Sequence, residues 1–245
     1  MRNKAVDESK ITRDTLLCGG VHLLQPRRGP RSSLDPVLLA GFVAPPFGAF
    51  LDIGCGTGAL AFLLLAQDPG ARGVGVEIQP RLAELAVAGA RANRFGDRFR
   101  VVAGDVRAKG AVEAGAFDLV ACNPPFRPVG TGILPPLSEK ALANHEVALA
   151  LGEWLEVAAL ALRPTGRLAV IFPFDRWQEL HKGLQARSFS VARSRMVASR
   201  PGVEPRRILV EARRGPGASV EEPTLIVHDR GGYSAEVRKM LGEEA

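Results

Sequence analysis

The sequence predicts an α/β fold: a seven-stranded, mostly parallel sheet with an antiparallel edge pair and helices on both faces. Three observations carry this. From residue 49 onward, short apolar runs of strand length alternate with longer segments of helical period. Each early run ends on a glycine, an acid or an asparagine, the residues of tight turns. The last two runs before residue 215, at 191–198 and 207–212, follow each other with no helix between them. Short apolar strands separated by helices form sheets buried on both faces. The 245 residues, 46% hydrophobic and 24% charged, suffice for one large core and exclude disorder over most of the chain.

The elements follow in order. Residues 1–14 read as a loose polar terminus and 15–24 as a short strand. Residues 25–31 form a basic, turn-rich loop. Ser33, Leu34, Asp35 and Pro36 open a helix to Phe42, with Ser33 or Asp35 as cap and Pro36 in the first turn. Strands are expected at 49–53, 73–77, 99–103, 117–122 and 167–172. Helices are expected at 57–66, 80–93 and 176–186. A long amphipathic helix carries Val147, Leu151, Trp154, Leu155, Ala158 and Leu162. Residues 215–223 read as a linker, 225–227 as a strand, and 234–241 as a helix capped by Ser234. The expected organisation is therefore an N-terminal basic segment and helix (1–47), a central domain (48–214), and a linker with a strand–turn–helix tail (215–245).

Composition narrows the function. The three cysteines, Cys18, Cys55 and Cys122, are too few and too scattered for a disulfide framework or a metal site, and imply a reducing compartment. No metal is expected. The longest apolar stretch, 37–51, is too short for a membrane span and holds Pro45 and Pro46. The charged N-terminus lacks a signal-peptide core. A soluble cytoplasmic protein is expected, a monomer or weak homodimer. His22, His145, His181 and His228 show no ligand spacing and read as surface or capping residues. Trp154 and Trp177 read as core or half-buried, and Tyr233 as an anchor for the tail.

The segment Asp52-Ile-Gly-Cys-Gly-Thr-Gly58 lies between the first core strand and its helix. Glycines permit positive φ and close approach of a ligand, and the helix N-terminus behind them presents free N–H groups. Glu77 ends the next strand, where a carboxylate can hold both ribose hydroxyls; Asp105 ends the third, at the level of a base edge. Ile78 and Val106 flank these acids. The site is that of a nucleoside cofactor. Gly54, Gly56 and Ala59 also satisfy the looser dinucleotide pattern, so an NAD-dependent dehydrogenase stays open at this point. Cys55 reads as a small spacer within the loop.

Asn123-Pro-Pro-Phe126 follows the fourth strand, where ligands bind in such sheets. The exocyclic amine of adenine is a poor nucleophile because its lone pair is delocalised into the ring. Two acceptors, the Asn123 side-chain oxygen and the Pro124 carbonyl, can take one N–H each. They draw the nitrogen toward tetrahedral geometry and aim its lone pair at a methyl donor. Catalysis is then largely positioning. Pro124 and Pro125 remove competing donors and stiffen the loop. Phe126 offers a face for stacking.

These residues in this order resemble the amino-methyltransferases that modify exocyclic or amide nitrogens. The flanks narrow the resemblance. Residues 24–39, with Arg27, Arg28, Arg31 and Asp35, and the tail Leu225-Ile-Val-His-Asp-Arg-Gly-Gly-Tyr-Ser-Ala-Glu-Val237, are similar to the small-domain methyltransferase family that includes the bacterial tRNA1(Val) adenine N6-methyltransferases. The similarity runs from about Leu16 onward. Phe126 stands where many members carry Tyr, which keeps a stacking face and loses a hydroxyl. The resemblance implies a Rossmann-like methyltransferase fold and S-adenosyl-L-methionine as cofactor. It implies a tRNA substrate methylated on N6 of the adenosine just 3′ of the anticodon. It makes Asn123, Pro124, Pro125 and Phe126 the catalytic loop. Asp52, Gly54, Gly56, Gly58, Glu77, Ile78, Asp105, Val106 and Asn123 become cofactor contacts, with Arg31 and Asp35 toward the amino-acid end.

Three other readings share parts of the pattern. A protein glutamine N-methyltransferase uses the same four catalytic residues but commonly has a helical N-terminal domain. An rRNA guanine methyltransferase commonly has a duplicated domain. A non-catalytic RNA- or cofactor-binding module would not need the intact loop.

The net charge is +6, from 32 basic and 26 acidic residues. Eight arginines between residues 187 and 214 are opposed within that segment only by Glu204 and Glu211. They read as a phosphate-tracking ledge, with Arg200, Arg206 and Arg207 joined by Arg27 and Arg28 as the RNA contacts.

Overall fold

The computed structural model describes residues 7–17, 20–29, 31–124 and 151–243. Cys18, Pro125, Phe126, His145 and the expected helical turn around Val147 lie outside them. A hairpin of β1 (Ile11–Leu16) and β2 (Val21–Pro26) comes first, then α1 (Asp35–Phe42). Strand–helix alternation follows: β3 (Ala49–Ile53), α2 (Ala59–Gln67), β4 (Arg72–Glu77), α3 (Pro80–Ala92), β5 (Phe99–Ala103) and β6 (Phe117–Cys122). Beyond the undescribed segment come α4 (Leu151–Ala161), β7 (Leu162–Pro173), α5 (Trp177–Gln185), β8 (Phe189–Ala198) and β9 (Arg207–Arg214). The tail holds β10 (Val220–Ile226), the short pair β11 (His228–Asp229) and β12 (Gly232–Tyr233), and α6 (Ala235–Met240).

The main sheet has the order β10-β8-β9-β7-β6-β3-β4-β5. Strands β3 to β7 pair in parallel, and β9 runs antiparallel to both β7 and β8. The sheet thus has eight strands rather than the seven counted from the sequence. The addition is β10, which pairs in parallel with β8 and takes the edge position expected for β8. Its first half falls in the stretch read as a linker. The Glu-Glu-Pro run hides it, and the ladder shifts register between Glu222 and Leu225, around Pro223. A proline is tolerated there because an edge strand has one unpaired side. A second correction concerns residues 11–24. The stretch read as polar terminus plus one strand is a two-stranded hairpin, with Ile11 opposite Pro26 and Leu16 opposite Val21.

Alternation along the strands divides two cores. Phe50, Leu119 and Ile171 face α1 and α2, while Leu51, Val120 and Phe172 face α4 and α5. Helix α2 is buried from Ala59 to Leu65 because α1 and β2 cover its outer side. Helix α3 buries Leu82, Leu85, Ala86 and Ala90, the face expected from period alone. The hairpin is stitched onto α3 by Asn93. Its amide donates to the His22 and Gly89 carbonyls at 2.6 and 2.8 Å, and its Oδ1 accepts the His22 amide at 2.7 Å. In the tail, the Ser234 hydroxyl caps α6 by accepting the Val237 amide at 3.3 Å, and Val237 is fully buried against the α1 side. Among the described residues no helix is long and apolar enough to cross a membrane.

Candidate cofactor and acceptor site

The parallel strands β3, β4 and β6 deliver their last residues to one edge of the sheet, and the chain turns there through glycines. Gly54, Gly56 and Gly58 have φ of 71°, 56° and 93°. Gly54 and Cys55 donate their amides to the Val76 carbonyl at 2.9 and 3.1 Å, which pins the loop to β4. The glycines serve different ends. A Cβ on Gly54 or Gly56 would meet nothing within 4 Å, so both leave space in front of the loop. A Cβ on Gly58 would lie 2.6 Å from the Phe62 ring, so this glycine lets α2 pack tightly against its own entrance.

That space is a cavity of about 390 Å³. The residues expected at a cofactor site converge on it: Asp52, Gly54, Gly56, Glu77, Ile78, Asp105, Val106, Asn123, Arg31 and Asp35, together with Pro124. Gly58 lies behind the wall. Polar residues not expected at the cofactor site also line it, among them Thr57, Gln79 and Arg207, the last expected instead on RNA. Gln79 sits two residues past Glu77, where its only sequence signal is a position just before the helix-starting Pro80.

The carboxylates are tuned differently. Asp52 is almost fully buried, and burial raises its pKa from 3.8 to about 7, with repulsion from Glu77 adding to the rise. Its Oδ2 has no hydrogen-bond partner among the described residues. Burial also raises Glu77, while the Gln79 and Gly56 amides, both at 2.9 Å, pull the other way. Asp105 is held low by Arg107, whose Nε and Nη2 reach the carboxylate at 2.6–3.0 Å. The same guanidinium reaches Glu153 on α4 at 2.8 Å through Nη1. Burial pushes the Cys55 and Cys122 thiols up, which disfavours thiolates and suits the spacer reading of Cys55.

Asn123 follows directly on β6. Its Oδ1 is buried and has no donor among the described residues. A buried acceptor left unpaired costs about 1–3 kcal/mol. Such an atom in a cavity wall marks where a donor from a ligand belongs. The Pro124 carbonyl belongs to the same wall by sequence, whereas Pro125 and Phe126 lie outside the described residues.

The cations divide into three groups. Arg31 lines the cavity but is braced to the hairpin, donating to Asp14 Oδ2 and Thr12 Oγ1, each at 2.8 Å. Arg207, expected among the RNA contacts, sits in the cavity wall with Nε 3.3 Å from Asp35 Oδ2. The expected ledge is much reduced. Arg193 and Arg195 pair with Glu222 and Glu236 of the tail, and Arg213 pairs with the buried Glu211. Arg187 and Arg214 bond to the Gly152 and Ala159 carbonyls. Counting acids only within 187–214 misses the two glutamates that β10 and α6 bring to β8. Arg200 and Arg206 remain exposed, with no ion pair among the described residues; Arg27 and Arg28 are also exposed, with Arg27 Nε on the Ser9 carbonyl at 3.0 Å. Among the described residues no cluster of His, Cys, Asp or Glu has metal-binding geometry.

A parallel sheet with an antiparallel end, a glycine loop after its first core strand and an acid ending the next define a Rossmann-like methyltransferase. The crystal structure of a predicted O-methyltransferase from Agrobacterium tumefaciens has the same fold, with TM-score 0.69 at 23% identity, covering 86% of this chain and 97% of that one. The chain belongs to the methyltransferase small domain family, whose model matches residues 35–187. Among curated relatives, the tRNA1(Val) (adenine(37)-N6)-methyltransferase of Porphyromonas gingivalis is 37% identical over 216 residues, with 83% of each chain covered. The enzyme of that name from Tolumonas auensis is 29% identical, covering 91% of this chain and 92% of its own. Family membership removes the dehydrogenase reading that the glycine pattern left open.

Proposed function

We propose that this chain is a cytoplasmic, S-adenosyl-L-methionine-dependent N6-adenine methyltransferase of tRNA, acting on the adenosine immediately 3′ of the anticodon. The observation that carries the reading is the unpartnered, buried Asn123 Oδ1 in a residue of the cavity wall shared by Glu77 and the glycine loop. The names of the P. gingivalis and T. auensis relatives support the substrate.

The residues present fit the cofactor. Gly54 and Gly56 leave a cradle that any Cβ would enter, and Glu77 ends β4 facing the cavity. Ile78, 42% exposed in that wall, offers an apolar face to a base, with Asp105 and Val106 lining the same cavity. Asp35 and Arg31 supply opposite charges for an amino-acid end. When bound, the cofactor supplies an electrophilic methyl group on a cationic sulfur.

The chain's own residues do the rest. Asn123 Oδ1 and the Pro124 carbonyl each accept one hydrogen of the adenine amine. This turns the nitrogen lone pair out of conjugation and fixes its direction. As the nitrogen–carbon bond forms, the methyl–sulfur bond would break with its electron pair staying on sulfur, while the amine keeps one hydrogen and releases the other as a proton to solvent. Asn123 stabilises that developing charge without itself becoming ionised. Phe126 is assigned the stacking face for the base. The anticodon loop suits such a site, because an unpaired base turns out at less cost than one in a duplex. Arg200 and Arg206, with Arg27 and Arg28, are assigned to phosphates. Arg207 has a foot in both regions through Asp35.

The test presents one preparation with labelled cofactor and three acceptors: unmodified tRNA, rRNA and a peptide-release factor. Label is expected in tRNA alone. Label in the protein acceptor would move the assignment to a glutamine amide, for which the same two acceptors serve.

A further inference from the structure

Glu77 does not meet a ribose with a free carboxylate. A carboxylate offers about four lone-pair sites. Two protein amides already donate to this one, Gly56 to Oε2 and Gln79 to Oε1, both at 2.9 Å. A cis-diol brings two more.

A second acceptor lies beside it. Gln79 holds the N-cap position of α3 without a side-chain capping bond, is 8% exposed and lines the same cavity. Its Oε1 is buried and has no donor among the described residues. Chemistry sets the orientation of the amide. The NH2 end must meet the carboxylate, because two oxygens facing each other would have no proton between them. The oxygen is therefore the end left for another donor, and no protein group among the described residues supplies one.

We propose that Gln79 is a second ribose acceptor, its Oε1 taking one hydroxyl of the bound nucleoside while Glu77 takes the other. The inference rests on the cofactor assigned above. It makes Gln79 a binding residue that selects for an intact diol. A 2′- or 3′-modified nucleoside leaves one of the two acceptors orphaned, as does a ligand without the sugar.

The test is calorimetric titration of S-adenosyl-L-homocysteine and its 2′-deoxy and 3′-deoxy forms into wild type and Gln79→Met. Methionine keeps the side-chain length and removes the amide. The variant is expected to bind the parent ligand about ten-fold more weakly. It should bind one deoxy form as wild type does, within about two-fold, so that the two effects do not add. Equal weakening of all three ligands, the result if Gln79 only steadies Glu77, overturns the proposal; so does an unchanged Kd for the parent. Gln79→Leu repeats the comparison if the methionine variant melts early. A wild-type protein that binds none of the three ligands refutes the cofactor assignment itself, before any variant is compared.

Discussion

At the residue scale the site is built from polar atoms that folding leaves unpaired. Asn123 Oδ1, Gln79 Oε1 and Asp52 Oδ2 are all buried without donors among the described residues. Their residues line one cavity. Asp52 also makes stability depend on pH. Its folded pKa of about 7 lies above the ordinary 3.8, so folding prefers the neutral acid. That contribution is complete below about pH 4 and is lost as pH rises through 7. Glu77, raised as well, acts with the same sign. Asp52→Asn, neutral at every pH, is expected to flatten much of the fall in Tm between pH 4 and pH 8, leaving the part due to Glu77. Parallel profiles for wild type and variant, measured by thermal denaturation, would contradict the assignment. The acids and Asn123 were legible in the sequence because strand ends announce them. Gln79 was not, since a glutamine before a helix carries no pattern, and only the fold turns it toward Glu77.

At the element scale the glycine loop does two separable jobs, which two substitutions can divide. Gly56→Ala places a methyl in open cavity space at a φ of 56°. It is expected to cost about 1–2 kcal/mol of stability from backbone strain, and to lower affinity for S-adenosyl-L-homocysteine by about ten-fold or more. Gly58→Ala drives a methyl into Phe62 at the start of α2. It is expected to destabilise by at least about 2 kcal/mol through overpacking and strain. Chemical denaturation alongside titration checks both; equal destabilisation by the two would show that the glycines share one role. The alternation from β3 to β7 could be read in advance because the central strands β3, β6 and β7 carry largely apolar runs buried on both faces. Strand β1 and the first half of β10 could not. Ile-Thr-Arg-Asp-Thr-Leu has one apolar residue at each end, and β10 opens Val-Glu-Glu-Pro. Each is an outer strand with a solvated side, so its pairing partner rather than its own composition makes it a strand.

At the scale of the whole molecule, charge is organised by the fold. Four of the eight arginines of the 187–214 segment hold the sheet to the tail or to backbone carbonyls, and Arg207 and Arg213 pair with Asp35 and Glu211. Within that segment the exposed cations with no ion pair among the described residues are Arg200 and Arg206, at the turn between β8 and β9 on the same sheet edge as the cavity. Arg206→Glu is expected to raise the KM for tRNA several-fold. It should also reduce the slope of log affinity against log salt by about one for each phosphate it ceases to neutralise. The Kd for S-adenosyl-L-homocysteine should not change. Arg207→Glu is expected to alter both, because Arg207 is paired with Asp35 in the cavity wall. Filter binding across a salt series checks the pair, and identical behaviour of the two variants would contradict the division. Net charge along the sequence overstated the unpaired charge of this segment, since linear counting could not see Glu222 and Glu236 arrive from the tail. The central claim is that Asn123 positions an adenine amine of tRNA for methylation. Its most direct test is mass spectrometry of nucleosides from unmodified tRNA after incubation with cofactor and either wild type or Asn123→Ala. N6-methyladenosine next to the anticodon is expected with wild type, falling by roughly a hundred-fold or more in the variant while its affinity for S-adenosyl-L-homocysteine stays within about three-fold. Methylation that persists in Asn123→Ala, or a methylated base other than adenine, would contradict it.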